Sequence, residues 1–133
     1  NKNEKLNKEI KSLPGKKIIF TNGSKKHAKN VVSNLQLDEN LFSIFDIVDC
    51  DFIPKPEKLP YERLIKKYDI IPEESIFFED IARNLKPAHD LGMKTGWVIN
   101  DDNWAKEGHD EDHVHFKINQ LDHFLEQCNL LIK

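Results

Sequence analysis

The sequence predicts an α/β protein whose strands run parallel in a sheet. Short apolar runs of strand length alternate along the chain with segments that repeat their apolar residues at helical spacing. This alternation is typical of strand–helix–strand units, in which a helix joins two parallel strands. The chain has 133 residues, enough for one domain with one hydrophobic core, and its sequence contains neither repeats nor a linker. We therefore expect residues 1–133 to form a single domain.

Five apolar runs are the predicted strands. The runs IIF and IFF consist of consecutive apolar residues, so we expect their strands to be buried on both faces of the sheet. The last run is expected to form a short strand at the sheet edge. The predicted strands cover residues 16–21, 46–49, 74–80, 94–99 and 113–118.

Apolar residues at helical spacing occupy the segments around these strands. The apolar face of the second helix consists of Ala28, Val31, Val32 and Leu35. Ser24 suits the N-cap of that helix, and Gly92 closes the fourth helix. The predicted helices cover residues 3–13, 24–37, 55–70, 81–93 and 119–133, with a polar, acidic loop at residues 100–112.

Composition and charge describe a soluble, folded protein. Hydrophobic residues make up 38% of the chain and charged residues 32%, with a net charge of −3. Lys and Arg are scattered among Asp and Glu, which argues against the clustered basic face of a protein that binds a nucleic acid polymer. No apolar stretch approaches the roughly 20 residues of a membrane helix, and no signal peptide opens the sequence, which predicts a cytoplasmic protein without a membrane partner. Cys50 and Cys128 are expected to be free thiols.

A polar turn, Thr21-Asn22-Gly23-Ser24, follows the first strand and precedes the second helix. In an open α/β sheet, ligands bind just beyond the carboxyl ends of the strands. A hydroxyl group and consecutive backbone N–H groups at such a place suit the oxygens of a phosphate. By itself, the same stretch also describes an ordinary turn with a capped helix.

Two adjacent carboxylates, Glu79 and Asp80, close another apolar strand. Like charges this close repel each other unless a cation lies between them, and Mg²⁺ prefers hard oxygen ligands of this kind. Asn84 lies one helical turn further on and can face the same point. Lys55, which Pro56 biases toward an extended backbone, would balance charge in a phosphoryl-transfer site. Taken singly, acidic residues at a helix start and a surface lysine are also common without any site.

Taken together, in the order in which they follow one another along the chain, these motifs are specific enough to indicate a protein family. The stretches IIFTNGS, IPKPEKLPYERL and IFFEDIARNLKPAHDLGMKTGWV resemble the haloacid dehalogenase-like (HAD) superfamily of phosphohydrolases, and most closely its pyrimidine 5′-nucleotidase branch. The resemblance runs through nearly the whole chain. It implies a Rossmann-like, three-layer α/β/α core with a mostly parallel sheet, and a Mg²⁺-dependent enzyme that hydrolyses a phosphorylated small molecule.

The resemblance also implies roles for individual residues. The Thr21 hydroxyl would bind the phosphoryl group, assisted by the Asn22 N–H in the turn that continues through Gly23. Lys55 would steady the aspartyl-phosphate intermediate and the nucleophile. The metal ligands would be Glu79 and Asp80, which Asn84 would support without binding the metal itself.

One element of the family pattern is absent from the sequence. The superfamily depends on a D-x-D-x-T motif at the end of an N-terminal strand, in which the first Asp is the nucleophile and the second the general acid–base. The stretch DCDF at residues 49–52 has the D-x-D spacing, but it follows the Thr21 turn and lacks the final Thr, so we reject it as a substitute. The nucleophile strand and the cap inserted after it are therefore expected upstream of Asn1. The chain is expected to be an inactive C-terminal part of a phosphatase.

Several alternatives stay open at this point. The cap that selects the substrate is missing, so a nucleoside 5′-monophosphate is one candidate substrate, and phosphoglycolate-type phosphatases and phosphosugar mutases are others. A protein of a different class, a non-catalytic module with a receiver-like sheet that binds phosphate or metal, would also carry these motifs.

The missing strand has a consequence for association. In the superfamily it lies between the strand that ends at Thr21 and the strand that ends at Glu79. Without it, both strands would expose an unpaired edge, which invites another strand. We expect the isolated chain to associate with itself through these edges or to be marginally stable.

Other side chains suggest ligands less strongly. His113 and His115 would share one face of a strand, as zinc ligands do, but no third ligand is fixed, so we interpret this region as an acidic surface loop. Trp97 and Trp104 could stack on a base. We expect Trp97 to pack in the core instead, and Trp104 to anchor a loop.

Overall fold

A computed structural model describes residues 2–132, so Asn1 and Lys133, the ends of the predicted domain, lie outside the described residues. Six helices and five strands alternate in the described part of the chain. In chain order they are α1 (Lys2–Ser12), β1 (Ile18–Phe20), α2 (Lys25–Asn34), β2 (Ser43–Phe45), α3 (Lys58–Lys67), β3 (Ile76–Glu79), α4 (Lys86–Asp90), β4 (Lys94–Val98), α5 (Asn103–Lys106), β5 (Phe116–Ile118) and α6 (Leu121–Ile132). Three short 3₁₀ helices lie at Glu39–Leu41, Pro72–Glu74 and Ala82–Leu85.

The described residues form two compact units. The first comprises the chain up to Phe52 together with the segment that starts at Gln120, and the second is Ile53–Asn119. The single domain predicted from the sequence stays a prediction. Among the described residues, no helix is both long and apolar enough to cross a membrane.

The first unit contains a two-stranded parallel sheet. Strands β1 and β2 pair in register, with Ile18 opposite Ser43 and Phe20 opposite Phe45. The two phenylalanine rings meet edge to face, with centroids 5.7 Å apart, and both are buried. Aromatic pairs in this arrangement contribute stability beyond the area they bury.

Helices α1 and α6 pack against each other in the same unit. The amide of Asn129 donates to the Glu9 carbonyl at 3.0 Å and to Glu9 Oε2 at 2.8 Å, and both side chains are buried. A buried carboxylate must find donors, because it is costly to leave one without them. This pair therefore fixes how the two helices meet.

The second unit contains a three-stranded parallel sheet in the order β3-β4-β5. Gly96 lies in the middle strand, where a Cβ atom would stand 2.8 Å from Ile118 Cδ1 and 2.9 Å from Phe78 Cδ1. Only glycine allows the neighbouring side chains to come this close. The core beside the sheet is formed by Trp97, Ala82 and Leu85, with Phe77, Ile99 and Val114 packed against it.

The predicted α/β class with parallel strands is confirmed. All five strands were predicted near their observed positions, and five of the helical segments were predicted as well. Gly92, with a φ of +105°, follows α4 as expected for a helix stop. Cys50 and Cys128 are free thiols, as predicted.

Several boundaries were wrong. The strand expected at residues 46–49 is β2 at Ser43–Phe45, and residues 46–49 form the turn after it, because Asp46 uses its carboxylate to hold that turn. The helix expected at residues 81–93 begins as a 3₁₀ helix and contains only a five-residue α-helix. The loop expected at residues 100–112 contains the short helix α5.

The burial predicted for both faces of β1 and β3 was wrong in part: Ile18 and Ile19 in β1 are only partly buried. Ile76 in β3 is 41% exposed, and the rest of that strand is only partly buried. On α2, Ala28 and Val32 are buried, whereas Val31 and Leu35 are exposed. The cause in β3 is its position at the edge of the sheet, since β4 is the one strand that pairs with it among the described residues.

Candidate functional site

The Thr21–Ser24 turn lies directly after β1. The Thr21 N–H continues the pairing with β2 by donating to the Phe45 carbonyl at 3.1 Å. The Gly23 N–H donates to Thr21 Oγ1 at 3.0 Å, and Ser24 Oγ accepts the His27 N–H at 3.1 Å, so Ser24 is the predicted N-cap. The turn therefore holds its threonine hydroxyl in place while the Asn22 side chain is exposed.

Asp46 supports this turn, and sequence reasoning missed it. Its side chain is buried, with Oδ2 accepting the Lys25 N–H at 2.9 Å and Oδ1 accepting the Val48 and Asp49 N–H groups at 3.1 Å each. The Lys25 N–H is the first of α2, where a negative charge is stabilised by the helix dipole. An Asp that directly follows a strand and precedes a turn was the available sequence signal.

The rejected DCDF stretch begins in the turn that Asp46 organises. Asp49 Oδ2 accepts the Asp46 N–H at 3.0 Å and lies 3.5 Å from Lys25 Nζ. Asp51 and Phe52 both have positive φ angles, and Phe52 is 70% exposed. The first carboxylate of the stretch therefore has a structural partner on each side.

In the second unit, Lys55 and Glu79 form a buried ion pair. Lys55 Nζ lies 2.7 Å from Glu79 Oε2, and the two side chains are only 6% and 9% exposed. Lys55 Nζ also lies 5.5 Å from the centroid of the Phe77 ring, which favours a cation. The peptide bond between Lys55 and Pro56 is cis.

The buried position changes how Glu79 titrates. Burial raises the pKa of the Glu79 carboxyl above its ordinary value of 4.5, the charge of Lys55 opposes that shift, and Asp80 adds to it. The second oxygen, Oε1, accepts the Ile81 N–H through a long contact of 3.4 Å. Both oxygens of Glu79 therefore have partners within the protein.

Asp80 differs from its neighbour because it is exposed. Its Oδ2 accepts a hydrogen bond from Asn100 Nδ2 at 3.1 Å, and its backbone carbonyl accepts the Trp97 indole N–H at 2.8 Å. The two contacts orient the residue and leave its carboxylate open to solvent. Asn100 is a second residue that the sequence gave no reason to select.

Tyr61 joins the helix after Lys55 to the segment after Asp80. Its hydroxyl donates to the backbone carbonyl of Asn84, and its ring meets Phe77 edge to face at 6.0 Å. Tyr61 and Asn84 are both buried. Burial, and then the charge of Glu79, raise the pKa of the Tyr61 hydroxyl far above its ordinary value, so the hydroxyl remains a donor.

Mg²⁺, which the family pattern implies, fits these residues in part. Asp80 offers an exposed hard oxygen ligand, whereas the carboxylate next to it in sequence, Glu79, is engaged by Lys55. Between residues 2 and 132, no group of three His, Cys, Asp or Glu side chains is placed to hold a metal ion. The described residues can therefore supply one part of a ligand set.

The predicted site residues fall into two groups. Lys55, Glu79 and Asn84 lie together in the second unit, joined through Tyr61 and Phe77, with Asp80 next in sequence to Glu79. The second group, Thr21, Asn22 and Gly23, lies in the first unit. The catalytic and binding roles of all seven residues stay predictions.

The histidines and tryptophans that could suggest a ligand make contacts within the protein. His113 is buried against the Ala82 carbonyl at 3.2 Å, contrary to the expected surface loop, whereas His115 is exposed. Trp97 packs in the core, as predicted. Trp104 is 53% exposed, and its backbone carbonyl accepts a hydrogen bond from Arg83 Nη1 at 2.6 Å.

Comparison with known proteins identifies the class. The profile of the haloacid dehalogenase-like hydrolases matches residues 4–92, more than half of the chain. The parallel α/β fold agrees with that match. The chain belongs to the haloacid dehalogenase-like hydrolase family.

The curated relatives are phosphatases. The chain is 25% identical to Enolase-phosphatase E1 of Danio rerio over 111 residues, which cover 81% of this chain and 42% of that protein. It is 27% identical to Enolase-phosphatase E1 of Salmo salar over 104 residues, or 77% of this chain and 39% of that protein. The chain thus spans about two fifths of the length of these relatives. The pyrimidine 5′-nucleotidase branch stays a prediction.

A solved structure supports the fold. The L-2-haloacid dehalogenase from Xanthobacter autotrophicus, with chloropropionic acid covalently bound, matches 92% of this chain and 58% of its own with a TM-score of 0.68. The sequence identity is 17%, so this likeness concerns the fold alone.

Proposed function

We propose that this chain carries the lysine and metal-binding portion of a Mg²⁺-dependent phosphohydrolase that acts on a phosphate monoester. The observation that carries the proposal is the buried pair of Lys55 and Glu79, with the exposed carboxylate of Asp80 next to it in sequence. An ammonium group fixed by a buried carboxylate offers positive charge at a defined position, which phosphoryl transfer requires.

In this proposal Glu79 positions Lys55, a role that differs from the metal-binding role implied by the family resemblance. A lysine side chain has four rotatable bonds, and one buried partner at 2.7 Å removes most of their freedom before substrate arrives. The Nζ atom has three donors, so it can give one proton to Glu79 and keep others for phosphoryl oxygens. Preorganised charge of this kind needs no rearrangement during the reaction.

Asp80 is the proposed direct ligand of Mg²⁺. When bound, Mg²⁺ would supply charge that neutralises the phosphoryl oxygens. Asn100 donates to Asp80 Oδ2 through its amide, and the exposed position of Asp80 leaves its carboxylate accessible to a metal ion. Since Glu79 is engaged by Lys55, we expect the chain by itself to bind Mg²⁺ weakly, on the order of millimolar or poorer.

In the first unit, the Thr21 turn is proposed to bind phosphate. The hydroxyl of Thr21 is held by the Gly23 N–H, which leaves its proton available for donation to a phosphate oxygen. The Asn22 N–H would assist. Asp46 already accepts the first N–H of α2, so the threonine turn, and not the helix end alone, is the proposed anion site.

The nucleophile is proposed to lie outside these residues. No D-x-D-x-T motif occurs in the sequence, and the relatives are more than twice as long as the part that aligns. In the whole protein, an aspartate would attack phosphorus, expel the alcohol as leaving group, and form a phospho-aspartate that water hydrolyses. A nucleoside 5′-monophosphate is our candidate substrate, and the cytoplasm our proposed location.

The strand edges support an association proposal. Among the described residues, β1 pairs with β2 alone and β3 pairs with β4 alone, so each presents one edge that no described strand covers. We propose that a strand from preceding sequence, or from a second copy of the chain, pairs there. Sedimentation of the 133-residue chain as a stable, cooperatively folded monomer would contradict this proposal.

Calorimetry with Mg²⁺ tests the metal proposal. We expect weak binding to the wild-type chain, and no binding after Asp80→Ala. The exposed Asp101, whose side chain is 94% accessible, provides the control variant Asp101→Ala, which should bind as the wild type does. Micromolar affinity, or an unchanged affinity after Asp80→Ala, would show that other residues bind the metal.

A non-catalytic module is the second candidate function. The absence of a D-x-D-x-T motif from these 133 residues favours it. Such a module would bind phosphate or metal without turnover even when all of the protein is present, and an assay of the longer protein separates the two functions.

A further inference from the structure

A groove in the second unit lies outside the residues assigned to phosphoryl transfer. It has a volume of about 380 Å³ and is lined by Pro56, Lys58, Arg83, Lys86, Pro87 and Asp90. This volume is within the range of sites for small organic molecules. We propose that the groove binds a small organic anion, a carboxylate or phosphate group on an apolar body, with Arg83 as its main contact.

The charge of the groove favours an anion. Three of its side chains are cationic and one is anionic, although the whole chain has a net charge of −3. Lys86 is 3.6 Å from Asp90, so these two charges offset each other. Lys58 and Arg83 are the other two cationic side chains of the lining, and Arg83 donates to the neutral Trp104 carbonyl rather than to a carboxylate, so its charge remains for a ligand.

Arg83 is the charge with a fixed position. Its Nη1 donates to the Trp104 carbonyl at 2.6 Å, and this contact orients the guanidinium group. A guanidinium carries five N–H donors in a plane that matches carboxylate and phosphate oxygens. With one donor used by Trp104, the others can serve a ligand. Because the protein already holds the group, binding loses little side-chain freedom.

The remaining surface of the groove suits an apolar body. Pro56 and Pro87 both line the groove and contribute rigid rings. Rigid carbon surfaces that flank a charged group are typical of sites for organic anions, in which polar groups orient the ligand and apolar groups hold it. A free inorganic anion would use the charges but not these rings.

The position of the groove connects it with the candidate site. Pro56 directly follows Lys55, and Arg83 lies between Asp80 and Asn84 in sequence. The anion can therefore be a second charged group on the phosphorylated substrate, or a separate molecule. Binding in the groove does not depend on the proposed hydrolysis, so it can be tested in the chain as it stands.

A nuclear magnetic resonance titration with benzoate tests the proposal. We expect saturable shifts of the backbone amides of Lys58, Arg83 and Lys86, and none of comparable size with the neutral analogue benzamide. Arg83→Gln should weaken benzoate binding about tenfold or more, the usual effect of losing charged hydrogen bonds. Arg63→Gln, which removes the other arginine of the chain, should leave binding unchanged, and Asp90→Asn should strengthen it two- to threefold.

A second probe distinguishes the two sources of the anion. If the groove binds a second charged group of the substrate, titration with 4-carboxyphenyl phosphate should shift the amides of Lys55 and Arg83 together in one transition. The affinity in that titration should be higher than the affinity for benzoate. A separate ligand would give two independent transitions, and either result agrees with a site in the groove. Equal shifts with benzamide, no saturation, or wild-type affinity after Arg83→Gln would overturn the proposal.

Discussion

The Thr21 turn of the first unit and the Lys55–Glu79 pair of the second unit are stabilised in different ways. The turn depends on backbone N–H groups that donate to nearby side-chain oxygens, and most of its residues are close in sequence. The pair joins residues 24 positions apart and lies beneath the protein surface. The difference shows that the turn combines local polar contacts with the support of Asp46 from the end of β2, whereas the position of the lysine depends on the packing of the whole unit.

The largest expected effect follows from removing one partner of the buried pair. Lys55→Met should lower the free energy of unfolding by about 3–5 kcal/mol, because it leaves a buried carboxylate without its counter-charge. Urea denaturation measures the loss.

Two variants sharpen that comparison. Lys25→Met breaks the half-exposed pair with Asp49 at 3.5 Å in the first unit, and should cost less than about 1 kcal/mol. The double variant Lys55→Met/Glu79→Leu should recover most of the stability. Equal losses for Lys55→Met and Lys25→Met would remove the contrast between the two units.

The turn should respond to the loss of Asp46. Asp46→Ala should lower the free energy of unfolding by about 2 kcal/mol, because the N–H groups of Lys25, Val48 and Asp49 lose their acceptor. Asp46→Asn keeps one oxygen and should cost less. Chemical shifts of the Thr21 and Gly23 amides should change in both variants, and unchanged shifts would show that Asp46 does not support the turn.

A smaller effect is expected for the hydroxyl of Tyr61. Tyr61→Phe keeps the ring against Phe77 but leaves the Asn84 carbonyl without its donor, at a cost of about 1 kcal/mol. Tyr68→Phe, on the partly buried tyrosine just after the same helix, should cost less than about 0.5 kcal/mol. Thermal unfolding followed by circular dichroism measures both variants. A larger loss in Tyr68→Phe would contradict the proposed link between α3 and Asn84.

The pH dependence of Glu79 has a definite sign. Its pKa is raised in the folded protein, so the folded state holds this proton more tightly than the unfolded state does. The stability that protonation of Glu79 contributes is complete when the pH lies below the ordinary carboxyl pKa of 4.5. It is lost as the pH rises through the raised pKa of the folded protein. The stability of the wild type relative to Glu79→Gln should therefore fall with increasing pH above about 4. A difference that grows with pH would mean that Lys55 dominates over burial.

Sequence reasoning found the strands and the residues at their ends because those signals are local. The apolar runs, the Ser24 cap and the Gly92 stop each depend on a few neighbouring residues. It did not find Asp46, Asn100 or Tyr61 as supports, because their partners are set by how distant segments pack. The exposure of Ile76 was missed for the same reason: an apolar run indicates a strand, but not whether a neighbour covers each edge.

The different surroundings of Glu79 and Asp80 could not be predicted from the sequence either. The sequence presents Glu79 and Asp80 as an equivalent pair. The structure separates them, since Glu79 is buried against Lys55 whereas Asp80 is exposed beside Asn100. Only tertiary packing decides which of two neighbouring acids faces the interior.

The most direct test of the account is phosphatase activity in two lengths of the protein. The 133-residue chain and a longer form that includes the sequence preceding Asn1 are assayed with p-nitrophenyl phosphate and Mg²⁺. We expect turnover from the longer form alone, lost after Lys55→Ala and after Asp80→Asn, and retained after Asp101→Asn. Turnover by the 133-residue chain that disappears with Lys55→Ala, or a longer form without turnover, would contradict the account.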